Sequence, residues 1–255
     1  MRQAHGPVGD RGSSPIGHVG VRRQGGHPSR LEGAWQTRRE HIMKTDDLIS
    51  LLAADTAAVP RRAASRQIAI AMAAGIPLAI LAMLVTMGAR VDLPQAIHVP
   101  IFWLKVLFPA AVACAAFATL SRLARPGVSA RSGMWAIAGL VVLLWLMAIA
   151  AYAGAPSPER AAMVWGQSWQ TCTLSVLMLS VPIFVAAFLA VRQLAPTRLT
   201  HAGACAGLLS GAAAASIYAF HCPESALPFM AIWYVAGIAA AAGIGAALGP
   251  RLLRW

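Results

Sequence analysis

The sequence predicts an all-α integral membrane bundle of six transmembrane helices, preceded by a short cytoplasmic amphipathic helix. Of its 255 residues, 58% are hydrophobic and only 12% are charged, a composition outside the range of soluble domains. Its apolar runs are each close to the ~20 residues that a helix needs to cross a bilayer core. The runs are continuous and rich in Ala and Leu, whereas barrel strands alternate. The predicted spans are 67–88, 99–120, 133–153, 171–191, 203–220 and 226–248.

The distribution of charge predicts the orientation of these spans. A formal charge of +12 could suggest a nucleic-acid partner, but the basic residues flank the apolar runs, so no direct nucleic-acid contact is expected. Every second gap is basic, whereas the opposite gaps hold only Arg90 and Arg160. By the positive-inside rule, both termini lie in the cytoplasm. The basic gaps contain Lys44, Arg61, Arg62, Arg66, Arg122, Arg125, Arg131, Arg192, Arg198, Arg251 and Arg254.

Residues 1–42 differ in amino-acid composition from the rest of the chain. They are rich in Gly, Arg, His and Pro and lack the apolar core of a signal peptide. They are either a disordered tail or upstream codons translated from a misplaced start. We favour the second interpretation, with Met43 as the start, because the composition changes there.

Residues 43–66 predict a short cytoplasmic helix that ends before the first span. Thr45 can cap it, two acids in its first turn suit the helix dipole, and leucines form one apolar stripe. The segment is either a juxtamembrane helix on the bilayer or bundle, or a docking peptide for a soluble partner. Its acidic first turn disfavours an anionic lipid surface and therefore favours the partner. The candidate binding residues are Asp46, Asp47, Leu48, Leu51 and Leu52.

The predicted topology separates the four cysteines into two pairs. Cys172 opens the fourth span from outside, and Cys222 follows the fifth span as it emerges. Cys114 and Cys205 fall toward the cytoplasmic side, where we expect small buried apolar residues. In the fifth span, glycines recur every four residues and predict close helix packing. These glycines are Gly203, Gly207 and Gly211, and the last span repeats the spacing with Gly245 and Gly249.

Three interpretations of the outer cysteines remain open. Cys172 and Cys222 could form a structural disulfide, act as a reversible redox or metal switch, or stay apart as isolated thiols. His221 and Glu224 offer nitrogen and carboxylate ligands beside Cys222. We favour the switch, with no resident cofactor and at most a transient heavy-metal ion on Cys172, Cys222 and His221. No CxxC pair is present, which disfavours a thiol oxidoreductase.

Lys105 is a cation about two turns inside the second span, where it needs a partner or must snorkel. It either reaches the outer surface, pairs with Glu224 or Asp92, or takes part in substrate passage. Other polar groups inside the spans are scarce, and a coupled transporter would need them at midplane. That scarcity counts against transport.

Several of these residues together resemble one family. The start MKTDDLISLLAAD at Met43, the run from Phe102 to Lys105, Cys172, and the run from His221 to Glu224 are similar to the NrsF family of bacterial anti-sigma factors. The resemblance covers about residues 43–255. It implies a six-helix protein of the bacterial inner membrane that is not an enzyme. It also implies that the N-terminal segment restrains an extracytoplasmic-function sigma factor, and that the outer cysteines respond to oxidants or heavy metals.

The leading hypothesis is therefore a membrane anti-sigma factor whose partners are a sigma factor and the lipid bilayer. Oxidation or metal capture at Cys172 and Cys222 would release the sigma factor from residues 43–60. The alternatives are a small transporter or permease and a membrane thiol oxidoreductase. The first would need polar groups along a pathway, and the second would need closely spaced cysteines.

Overall fold

The computed structural model describes residues 45–54, 62–124 and 130–254, apart from the side chains of residues 52 and 53. The predictions for residues 1–42 and for the start at Met43 lie outside these residues. Regular structure in the described part is entirely helical. The helices are α1 Thr45–Ala54, α2 Ala63–Thr86, α3 Leu93–Ala96, α4 Pro100–Leu123, α5 Arg131–Gly154, α6 Ser157–Trp165, α7 Trp169–Gln193, α8 Leu199–Tyr218 and α9 Leu227–Leu252, which contains a π-helical turn at Met230–Tyr234.

The chain divides into two units, residues 1–58 and 59–255. In the first unit, the described helix α1 carries Asp46 and Asp47 in its first turn. The second unit contains the other helices, and each long helix begins and ends within four residues of a predicted span. Sequence reasoning missed α6, which starts with a proline in its first turn and ends at Gly166, where φ is +53°. That left-handed geometry favours glycine.

Five helices in the described part are long and apolar enough to cross a membrane: α2, α4, α5, α6 with α7, and α9. The remaining predicted span corresponds to α8, which is less apolar because of its Gly, Ser, Thr and His residues. This helix lies inside the bundle, between α4, α7 and α9, and most of its residues are buried. A helix enclosed by other helices does not need the apolar surface that lipid requires.

Close packing of α8 on α9 explains the spaced glycines. A Cβ atom on Gly203 would lie 2.2 Å from the carbonyl oxygen of Gly245, and one on Gly207 would lie 2.2 Å from that of Ala241. A Cβ atom on Gly249 would lie 2.4 Å from the carbonyl oxygen of Leu199. The two backbones therefore touch, which confirms the predicted packing role of the small residues.

The helices of the second unit place the connections alternately at two ends of the bundle. At the thiol end, which contains residues 87–99, 155–168 and 219–226, the N–H of Arg90 donates to the carbonyl of Phe220 at 3.1 Å. At the arginine end, the side chains of Arg122 and Ser132 hydrogen bond. The described arginines of this end are Arg62, Arg66, Arg122, Arg131, Arg192, Arg198, Arg251 and Arg254.

Candidate functional site

Two cysteines fifty residues apart in the sequence meet at the thiol end. Cys172 lies in the first turn of α7, and Cys222 lies in the turn that follows α8. Both are fully buried, and their thiols are within hydrogen-bonding distance of each other. Both are free thiols. Two free sulfurs in contact can be oxidised to a disulfide or can bind a soft metal ion together.

Local structure holds each cysteine in place. The N–H of Cys172 donates to the carbonyl of Ser168 at 2.9 Å, which fixes the start of α7. The N–H of Cys222 donates to the carbonyl of Tyr218 at 3.0 Å, and Pro223 follows directly. Since proline has no N–H to donate to the preceding turn, the helix cannot continue regularly through it. The Ser168 hydroxyl also lies 4.0 Å from the Cys222 sulfur.

Lys105 reaches this site from the second turn of α4. It is 1% exposed, and its ammonium donates to the carbonyl oxygens of Cys222 at 2.6 Å and of Glu224 at 2.5 Å. The ammonium also interacts with the Cys222 thiol and lies 5.6 Å from the centroid of the Tyr234 ring. Two of the sequence interpretations are therefore wrong: Lys105 does not snorkel to the outer surface, and it does not pair with a carboxylate. Backbone carbonyls and a sulfur compensate the buried charge instead.

The surroundings of Cys222 favour its thiolate. The hydrogen bond from Cys172 lowers the pKa of Cys222, and the Lys105 ammonium and the backbone N–H of Glu224 act in the same direction. Burial opposes this effect but does not outweigh it. Since the thiolate is the reactive form of cysteine, this environment favours reaction at Cys222 over reaction at Cys172.

Arg90 is a second cation at the turn, and sequence reasoning did not single it out as a site residue. Its guanidinium donates to the carbonyl of Cys222 at 3.2 Å and to the Asp92 carboxylate at 2.5 and 2.6 Å. These bonds raise the pKa of Arg90 and lower that of Asp92. The Cys222 carbonyl thus accepts from both Arg90 and Lys105. The sequence signal that could have identified Arg90 is Asp92, an acid two residues away in the same short loop.

His221 and Glu224 lie beside Cys222 in sequence, but their side chains hold other parts of the turn. Nδ1 of His221 lies 2.9 Å from the carbonyl oxygen of Gly88. The Glu224 carboxylate accepts from the N–H of Gln167 at 2.6 Å, and a Cβ on Gly166 would lie 2.7 Å from its carboxyl carbon. Among the described residues, no group of three or more His, Cys, Asp and Glu side chains could hold a metal ion. Metal binding that includes His221 stays a prediction.

Aromatic side chains enclose the thiol end. The rings of Tyr218 and Tyr234 pack 5.9 Å apart beside the thiols, and Trp165, Trp169 and Trp233 form a cluster next to them. Sequence reasoning missed the two tyrosines, because an aromatic residue within an apolar run does not indicate which side chains it contacts in the folded protein. Their bulk keeps water from the sulfurs.

The other two cysteines lie elsewhere in the bundle. Cys114 is exposed, so the expectation that it is buried is wrong. The reason is that an apolar side chain on a helix of a membrane bundle can face outward, toward lipid, as well as inward. Cys205 is half-buried and lines a cavity at the arginine end.

The predicted partner-binding residues lie on α1. Leu48 is 43% exposed and Leu51 is 59% exposed, while the side chain of Leu52 lies outside the described residues. Asp46 and Asp47 are also exposed in the first turn. Helix α1 thus presents exposed acidic and apolar side chains among the described residues.

Comparisons with known proteins match most of this chain. A family model named NrsF and described as negative regulator of sigma F matches residues 52–255. The probable anti-sigma-F factor NrsF of Azospira oryzae is 41% identical over 216 residues, covering 84% of this chain and all of the relative. The anti-sigma-F factor NrsF of Caulobacter vibrioides is 39% identical with the same coverage. No solved structure matches this chain. With a matching family model over most of its length and full-length relatives at this identity, the chain belongs to the NrsF family.

Proposed function

We propose that this chain is an anti-sigma factor of the bacterial inner membrane that holds an extracytoplasmic-function sigma factor and releases it when its buried thiol pair is modified. Family membership supports the regulatory function, since both relatives are named anti-sigma-F factors. The contact between Cys172 and Cys222 supports the release mechanism.

The arrangement of charge supports an orientation with the thiol end outside and both termini in the cytoplasm. The described cations of the thiol end are Arg90, Lys105 and Arg160, whereas the arginine end carries eight arginines. Positive residues stay on the cytoplasmic side of a membrane. With α8 counted as an enclosed span, the bundle crosses the membrane six times. This orientation places the thiols on the side of the oxidising periplasm.

An oxidant of the peroxide class would act on the pair in two steps. The Cys222 thiolate attacks one peroxide oxygen, the O–O bond breaks, and the sulfur becomes a sulfenic acid while the other oxygen leaves with a proton. The Cys172 sulfur then displaces the hydroxyl group from Cys222, and water leaves as the S–S bond forms. Two electrons pass from the two thiols to the peroxide. A soft metal ion would instead bind the Cys222 thiolate and displace the proton of the Cys172 thiol, so that both sulfurs bind the ion.

Either reaction changes the charge balance around Lys105. Before the reaction, the ammonium faces the Cys222 thiolate; in the disulfide, it retains only the carbonyls of Cys222 and Glu224. A buried cation that loses its anion is destabilised. The turn at residues 219–226 would then shift relative to α4 and α7. This shift is our proposed start of the signal, and it must weaken sigma binding by about 1.4 kcal/mol for each tenfold loss of affinity.

Sigma binding is tested with the tagged full-length protein in membranes. We expect a sigma factor to co-purify with the unchanged chain, and the combined changes Leu48→Ser, Leu51→Ser and Leu52→Ser to abolish co-purification. Ala54→Ser is a control because it changes an exposed side chain of the same helix outside the apolar stripe. If the triple variant retains the sigma factor, or the control loses it, α1 is not the binding segment.

Sensing is tested with single cysteine variants and a sigma-dependent reporter gene. Cys172→Ser and Cys222→Ser should each abolish induction by peroxide or by a soft metal ion, because each removes half of the pair. Cys114→Ser and Cys205→Ser should keep normal induction. Equal loss in all four variants would point to packing instead of sensing, and unchanged induction in all four would overturn the thiol switch.

A further inference from the structure

We infer that a crevice at the arginine end is a binding site for an anionic phospholipid, a site independent of the proposed sigma and thiol functions. The crevice has a volume of about 890 Å³, within the range of about 300–1,000 Å³ that is usual for ligand sites. It lies between the first turns of α5 and α8, the end of α4 and the middle of α9.

The polar lining of this crevice is confined to one end. Arg131 opens α5, and Thr197, Arg198 and His201 surround the start of α8. The first turns of both helices lie at this end of the crevice, and the positive end of a helix dipole favours an anion. Arginine suits a phosphate group because its fork donates two parallel hydrogen bonds. This end of the crevice is therefore complementary to a phosphate headgroup.

The rest of the crevice is apolar and extends along the helices. Ile137 and Ala138 line it on α5, and Ala204 and Leu208 line it on α8. At 1.5 Å per helical residue, the distance from Arg198 to Leu208 is about 15 Å. This depth equals about one leaflet, since a bilayer core is about 30 Å thick. The apolar part is thus suited to an acyl chain.

Charge in the surrounding region selects for an anionic headgroup. Asp92, Glu159 and Glu224 are the described acids after residue 62, and each belongs to the thiol end. Among the described residues, Arg198 has no carboxylate partner, and no acid lines the crevice. Basic pockets between transmembrane helices on the cytoplasmic side bind anionic lipid headgroups. A zwitterionic lipid would leave this excess positive charge uncompensated.

The test uses the purified full-length protein in detergent, titrated with phosphatidylglycerol and with phosphatidylcholine of the same acyl chains. Binding is followed by native mass spectrometry and by thermal unfolding. We expect phosphatidylglycerol to bind at least about tenfold more tightly, and Arg198→Gln and His201→Gln each to weaken it by about fivefold. Arg192→Gln is the matched control, because Arg192 is an exposed arginine of the same end that does not line the crevice.

Two further measurements separate the headgroup from the acyl chain. Ala204→Trp should fill the apolar part and block binding, whereas the same change at Ala239, in the thiol-side half of α9, should not. Inorganic phosphate should not raise the melting temperature as the lipid does. Equal binding of the two lipids, equal loss in the Arg192→Gln variant, or full protection by phosphate alone would each overturn the inference.

Discussion

The two ends of the membrane unit balance their charges in different ways. At the thiol end, three described cations accompany three acids, Asp92, Glu159 and Glu224. At the arginine end, eight described arginines accompany no described acid. The thiol end is also held by hydrogen bonds between side chains and the backbone of one turn, whereas helices at the arginine end pack backbone against backbone. A chemical change at one side chain can disturb a turn held by balanced charges, whereas the close packing of two helices is less sensitive to such a change.

The largest effect is expected where the backbones of α8 and α9 touch. Gly203→Val would place a Cβ 2.2 Å from the Gly245 carbonyl oxygen and force the helices apart. We expect a loss of about 3 kcal/mol or more in the free energy of unfolding, measured by denaturant titration in mixed micelles. Gly243→Val is the control, since a Cβ there meets nothing within 4 Å. Equal losses in the two variants would mean that close packing does not stabilise the arginine end.

A smaller effect is expected when the buried cation of the thiol end is removed. Lys105→Met leaves the Glu224 carbonyl without its ammonium donor and deprives the Cys222 carbonyl of one of its two donors. We expect a loss of about 1–3 kcal/mol in the same unfolding measurement. Arg160→Met is the matched control, because Arg160 is a half-buried cation of the same end that donates to Ala155 and Ala153. If Arg160→Met loses as much free energy of unfolding, the buried Lys105 does not stabilise the thiol end more than a half-buried cation does.

The protonation of Cys222 gives a further test of the thiol end. Its folded pKa lies below the ordinary thiol value, so the ultraviolet absorbance of one thiolate should be present at neutral pH and disappear only under acidic conditions. Because the folded pKa is lower than the unfolded one, this contribution to stability is complete above the unfolded pKa and is lost as pH falls through the folded value. Cys222→Ser should remove the absorbance, and Lys105→Met should shift its midpoint upward. A midpoint at the ordinary thiol pKa would contradict the proposed thiolate.

The sequence predicted the helices better than it predicted their contacts. Apolar runs marked the long helices to within four residues, because lipid imposes a length and a composition on each span. The packing of Gly203 and Gly207 was also predicted, since small residues at this spacing have few other uses. Helix α6 was missed because it is short and only weakly apolar.

At the candidate site, the sequence identified the cysteines and Lys105 but not their partners. Lys105 binds backbone carbonyls, and any residue type can supply a carbonyl, so no sequence signal marks these acceptors. His221 and Glu224 were assigned to the thiols because they lie within two residues of Cys222. Consecutive residues in a tight turn point in different directions, and the structure directs these two to Gly88 and Gln167.

The smallest effect is expected at the half-exposed ion pair of the thiol end, between Arg90 and Asp92. Asp92→Asn removes the carboxylate that Arg90 binds and that has a lowered pKa, but the Asp92 side chain is 57% exposed. A pair with a solvent-exposed carboxylate contributes little to stability, and Arg90 keeps its bond to the Cys222 carbonyl. The free energy of unfolding should therefore fall by less than in Lys105→Met, and induction of the reporter gene through the thiols should remain. Glu159→Gln, which changes an exposed acid of the same end, is the control. If Asp92→Asn instead matched the loss in Lys105→Met, the turn would depend on the Arg90–Asp92 pair, and the difference between the two ends would not lie in the buried cation.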